Sequence, residues 1–88
     1  MTTTEEYNGW PNYETWLVNL WLTNEEPIYR TSRATARAAG SDRQAGEAIK
    51  DTIPELLDFP TTGMAADLVN AAMSRVDWVK IGESLREE

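Results

Sequence analysis

The chain contains neither cysteine nor histidine. Without cysteine it can form no disulfide and no thiolate metal site. Without histidine as well, a structural zinc site is excluded, because carboxylates alone suit calcium or magnesium. Catalysis is narrowed in the same way. General acid–base work near neutral pH draws first on histidine, and nucleophilic work on cysteine or on a serine with a base beside it. Carboxylate pairs remain, but they need a shaped cleft that drives two pKa values apart, which is hard to build in 88 residues. The chain therefore reads as a non-enzyme, with no catalytic residue, metal or cofactor expected.

Long apolar runs are also missing. None approaches the ~18 residues of a membrane-spanning helix. The start, Met1-Thr2-Thr3-Thr4-Glu5-Glu6, lacks the positive flank of a signal peptide. A cytoplasmic protein is the expectation. Positive charge is scarce too: the net charge of −7 argues against sequence-independent nucleic-acid binding, which rests on basic residues neutralising phosphates, and against an anionic membrane surface.

What is present is a dense aromatic set, four tryptophans, three tyrosines and one phenylalanine. A domain this short buries only roughly 60–65% of its unfolded surface, so its stability needs help. Aromatic packing is one source of help and a homodimer is another.

Punctuation along the chain points to an all-α domain of four to five short helices, with residues 1–8 frayed. Asn8-Gly9-Trp10-Pro11 reads as a turn, and Asn12 as the N-cap of a helix reaching about Thr23. That helix is apolar over most of its circumference, with Asn12, Thr15, Asn19 and Thr23 on one narrow polar stripe. Such a helix is expected at the centre of the core or in an interface. Pro27 opens a second helix that runs to Ala39 and stops at Gly40, expected in a left-handed conformation. Ser41-Asp42-Arg43-Gln44 forms a capping box for a third, whose apolar face carries Ala45, Ala48, Ile49, Ile53, Leu56 and Leu57 and in which Pro54 makes a kink or begins a new turn. A fourth, about Thr62 to Arg75, is expected to bury Leu68, Val69, Ala72, Met73 and Val76. Asp77 caps a last helix to about Arg86, with Trp78, Ile81 and Leu85 inward and Gly82 at a close contact. No segment alternates with period two, so no strand is expected.

Two strings are distinctive. Tyr7-Asn8-Gly9-Trp10-Pro11-Asn12-Tyr13-Glu14-Thr15-Trp16 and Val76-Asp77-Trp78-Val79-Lys80-Ile81-Gly82-Glu83-Ser84-Leu85 lie near the two ends. They resemble the YNGW-x-NYETW and V-[DN]-W-x-x-I-A-E-x-L blocks of a family of small uncharacterised proteins encoded by phages, plasmids and related mobile elements. Gly82 departs from the alanine of that pattern, which is expected to loosen the last helix slightly. The resemblance implies a genomic setting and carries over no catalytic or binding residue.

Four constellations could act. Trp10, Tyr13, Trp16, Trp21 and Trp78 are either core rings or an aromatic hot spot for a partner. Glu47, Asp51, Glu55 and Asp58 recur at spacings of four, four and three, giving a single-sign stripe on the third helix. Like charges so placed repel by a few tenths of a kcal/mol per pair, roughly, so the row is either a solvated face or an electrostatic docking surface. Arg30, Arg33 and Arg37 share one face of the second helix, in a stretch of local charge +3 between segments of −5 each. They either pair with those acidic segments or dock a carboxylate- or phosphate-bearing partner. Asn12, Thr15 and Asn19 are expected to be hydrogen-bonded if buried.

Three functions follow as expectations. The first is a non-catalytic interaction protein of a phage or mobile element that binds and modulates a host or defence protein, in the manner of an anti-restriction or anti-CRISPR inhibitor. The second is a nucleic-acid-binding accessory factor using the arginine helix. The third is a structural or assembly subunit.

Overall fold

The computed structural model describes residues 6–87 and is all-helical: α1 (Tyr13–Asn24), α2 (Glu26–Ala38), α3 (Asp42–Leu56), α4 (Gly63–Met73) and α5 (Trp78–Glu87). No strand occurs among the described residues, only an isolated bridge between Tyr7 and Trp10. None of these helices is long and apolar enough to cross a membrane.

Side-chain caps start three of the helices. Asn12 accepts from the Thr15 N–H at 2.9 Å and caps α1. The Ser41 hydroxyl accepts from the Gln44 N–H at 3.2 Å, while the Gln44 carbonyl oxygen reaches back to the Gly40 N–H at 3.1 Å. This is the reciprocal capping box, displaced by one residue on its return arm. Asp77 accepts from the Lys80 N–H at 3.1 Å and caps α5.

The frayed start expected for residues 1–8 falls for 1–5 outside the described residues. At Tyr7 and Asn8 the structure differs. Tyr7 and Trp10 exchange backbone hydrogen bonds of 2.9 and 2.8 Å across a turn in which Asn8 and Gly9 have φ of 50° and 85°. Positive φ at both central residues is the type I′ hairpin signature that Asn-Gly favours. The Tyr7 ring then packs edge-on to Tyr13 and Trp16, with centroids 5.0 and 4.7 Å away.

The core is aliphatic: Val18, Leu22, Ala36, Ala45, Ile49, Ile53, Val76, Ile81 and Leu85 are buried together. Its closest-packed pair is α3 with α5. The expectation that α1 is central is therefore corrected. Only Thr15, Val18 and Leu22 of α1 are buried, whereas Tyr13, Leu20 and Trp21 are exposed. An almost uniformly apolar helix names no preferred inward face, and β-branched Thr15 and Val18 with Leu22 form the one that fits.

Glycine sets the α3–α5 distance. A Cβ on Gly46 would lie 2.1 Å from the Trp78 carbonyl oxygen, and one on Gly82 would lie 2.4 Å from that of Asp42. Gly82 was expected to loosen α5. Its missing methyl instead lets the two backbones touch.

Three further expectations are revised. Gly40 is not left-handed: α2 ends in extended Ala39, and the Gly40 N–H is taken by Gln44. Pro54 begins no new turn, since α3 runs through it for two more residues, to Leu56. Pro54 sits in the final turn, where its carbonyl still accepts from the Phe59 N–H at 2.8 Å. Finally, Leu68 is 60% exposed and Ala66 is the buried residue of α4. Alanine and methionine surround α4 on nearly every side, so its sequence does not single out the face that lies inward.

Candidate interaction surfaces

The two distinctive strings meet. The Thr15 hydroxyl donates to Asn12 Oδ1 at 2.7 Å and accepts from the backbone N–H of Asp77 at 2.9 Å. Asn12 Nδ2 donates to the Arg75 carbonyl at 2.7 Å. The Arg75 guanidinium pairs with Glu14 at 3.2 Å, and Lys80 lies 5.8 Å from the Trp10 ring centroid. Asn12 and Thr15 thus form the expected satisfied network, and they tie the start of α1 to the α4–α5 junction. Asn19 does not join it: Asn19 Oδ1 is buried without a hydrogen-bond partner. This end of the molecule reads as structural joinery, because its polar groups are spent on one another.

The aromatic set divides. Trp10 and Trp78 are partly buried and pack on the core. Tyr13 and Trp16 belong to the Tyr7 cluster, with their centroids 5.7 Å apart. Trp21 is 49% exposed and stands at the edge of an apolar groove of about 500 Å³. Leu17, Val18 and Trp21 of α1 line that groove together with Ile28 of α2. Ile53, Leu56 and Leu57 at the end of α3 line it too, with Phe59 and Met73 completing the lining. The volume lies in the range of ordinary binding sites. Asp58 is the one charged residue of the lining.

Asp58 is held there by the way α3 ends. Phe59 N–H bonds Pro54 O at 2.8 Å and Asp58 N–H bonds Glu55 O at 3.4 Å, with Asp58 at φ 55°. These are the two bonds of a Schellman motif, whose left-handed position is usually glycine. Here it is aspartate. The rest of the acidic stripe leads away from it: Glu47, Asp51 and Glu55 are all exposed on α3. None of the four carboxylates has an ion-pair partner among the described residues, although Arg43 and Lys50 lie nearby in sequence.

The three arginines of α2 are also brought together. Arg30, Arg33 and Arg37 line a shallower hollow of about 330 Å³ with Glu26 and Tyr29. Arg30 pairs with Glu26 at 3.2 Å, so part of the positive charge is already offset. Arg33 is half-buried, and its Nε has no hydrogen-bond partner.

The spacing rules locate both charged faces from sequence. The groove was not foreseen, since Trp21, Ile28, Leu57, Phe59 and Met73 are scattered over four elements. The signal available was the apolar excess of α1, which required either burial or a partner.

No characterised protein and no solved structure matches the chain. Residues 3–83 match the model of DUF7249, a family of unknown function, and the chain belongs to that family.

Proposed function

We propose that the chain is a non-catalytic interaction protein that docks a segment of another protein in the groove between α1 and the end of α3. The observation that carries this reading is the unfilled apolar groove of about 500 Å³ with half-exposed Trp21 at its edge. A large ring beside a desolvated hollow is the usual composition of a binding hot spot. Asp58 adds a single charge to the lining of the groove. The partner in this reading is a cytoplasmic host or defence protein, and the protein modulates it on behalf of a phage or other mobile element. A nucleic-acid-handling enzyme fits most concretely, because carboxylates in a row can occupy a groove built for phosphates.

The test is affinity capture of the partner with the tagged full chain, followed by its titration with the purified wild type and Trp21→Ala. Trp21 lies outside the core cluster, so the variant keeps its fold. A loss of at least about tenfold in affinity supports the groove, and an unchanged affinity removes it.

A second reading rests on the arginine hollow of α2, which would make the chain a nucleic-acid-binding accessory factor. It requires salt-sensitive retention of DNA or RNA that disappears when Arg30, Arg33 and Arg37 become alanine. A homodimer is favoured by the outward Met64 and Leu68 of α4, 77% and 60% exposed. Light scattering that gives the mass of one chain at all concentrations would dismiss it.

A further inference from the structure

We infer that the arginine hollow of α2 is a phosphate-binding site with Arg33 as its anchor. The inference rests on the surface of the second reading above and names the group recognised there; it is independent of the groove. Three observations carry it together. Arg30, Arg33 and Arg37 line one hollow of about 330 Å³, in which Glu26 is the only opposing charge. Arg33 is half-buried, and its enclosed Nε has no hydrogen-bond partner among the described residues. The Arg30–Glu26 pair, at 3.2 Å, is highly exposed at both ends, so a bound anion can exchange with it at little cost.

Helix geometry explains why the three arginines differ. At 3.6 residues per turn they fall within about 60° of one another around α2. Ser32 and Ala36 are buried, and Arg33 lies at the margin of that buried face, while Arg30 and Arg37 lie farther round and are exposed. A guanidinium held by its surroundings loses less freedom when a ligand arrives. Its enclosed Nε–H is a donor without an acceptor, and turning the side chain toward an anion in the hollow satisfies it. Phosphate suits this arrangement better than carboxylate. The three side chains leave the helix at positions about 4.5 and 6 Å apart along its axis. A phosphate presents oxygens in a pyramid and accepts forks from several heights, whereas the two coplanar oxygens of a carboxylate are filled by one. The local charge of +3 over residues 30–43 draws an anion to this part of a chain whose net charge is −7.

The experiment titrates the full chain, labelled with nitrogen-15, with pyrophosphate, with succinate and with a short single-stranded oligonucleotide, and reads the arginine Nε–H resonances. Pyrophosphate is expected to shift the Nε–H of Arg33 and the backbone amides of Arg33 and Ala34. Its affinity is expected to fall at least about tenfold between about 0.05 M and about 0.5 M salt, as the charges become screened. Arg33→Lys keeps the charge and removes the fork, so it should bind pyrophosphate at least about tenfold more weakly. An unchanged spectrum outside α2 shows that the variant keeps its fold. No response of the wild type to pyrophosphate, an equal response to succinate, or undiminished binding by Arg33→Lys would overturn the inference. The oligonucleotide separates the sources of the phosphate. Shifts of the Arg33 Nε–H by both phosphate ligands support the inference with a nucleic-acid backbone as the source. Shifts by pyrophosphate alone support it with a free phosphate compound as the source, and remove the accessory-factor reading. Oligonucleotide binding without any response to pyrophosphate overturns the inference and leaves that reading standing.

Discussion

The Thr15 hydroxyl accepts a hydrogen bond from the Asp77 N–H at 2.9 Å, joining residues 62 positions apart. Thr15 is fully buried and its proton is donated to Asn12 Oδ1, so one side chain links the α1 cap to the α5 cap. Thr15→Val keeps the shape and removes both bonds, leaving the Asp77 N–H without its acceptor. A loss of about 1–3 kcal/mol is expected in urea unfolding, with Thr15→Ser much closer to wild type. Equal stability of Thr15→Val and wild type would show that the link contributes nothing.

Gly82→Ala should destabilise although alanine is the better helix former. The propensity gain is about 1 kcal/mol, but the new methyl would lie 2.4 Å from the Asp42 carbonyl oxygen and 2.6 Å from the Gly46 nitrogen. Both neighbours are backbone, so α5 as a whole must move. A net loss of about 1–3 kcal/mol is expected from denaturant midpoints, and more for Gly46→Ala with its tighter approach. A stabilised Gly82→Ala would mean that α3 and α5 do not touch in solution.

What could be read from sequence follows from locality. Asn12, Ser41 and Asp77 were recognisable as caps because a cap is settled within four residues. The arginine and carboxylate faces were recognisable because helical spacing alone groups them. The Gly46–Gly82 approach was only half legible, since a glycine announces closeness without naming its neighbour. The groove and the exposure of α4 depend on how distant elements cross. Leu68 at 60% exposure and Trp21 at 49% have the same apolar chemistry as buried Leu22, and only the fold distinguishes them.

That distinction can be measured on the leucines. Leu68→Lys should change stability by no more than about 0.5 kcal/mol, as expected for an exposed site. Leu85→Ala, at a fully buried position, should lower it by about 2–5 kcal/mol. Comparable losses for the two would contradict the placement of α4.

Asp58→Gly should stabilise the protein. Glycine relieves the left-handed conformation at φ 55°, so the variant should gain on the order of 1 kcal/mol in thermal or urea unfolding. A variant that is less stable than wild type would show that the Asp58 side chain supports the end of α3.

The groove is tested most directly by the affinity of the captured partner for Trp21→Ala, measured by calorimetry beside the urea midpoint of the same variant. Trp21 is 49% exposed, lines the groove and lies outside the core cluster. Its removal should therefore change stability by no more than about 0.5 kcal/mol, while affinity falls at least about tenfold. Unchanged affinity in a fully folded variant would contradict a docking role for the groove.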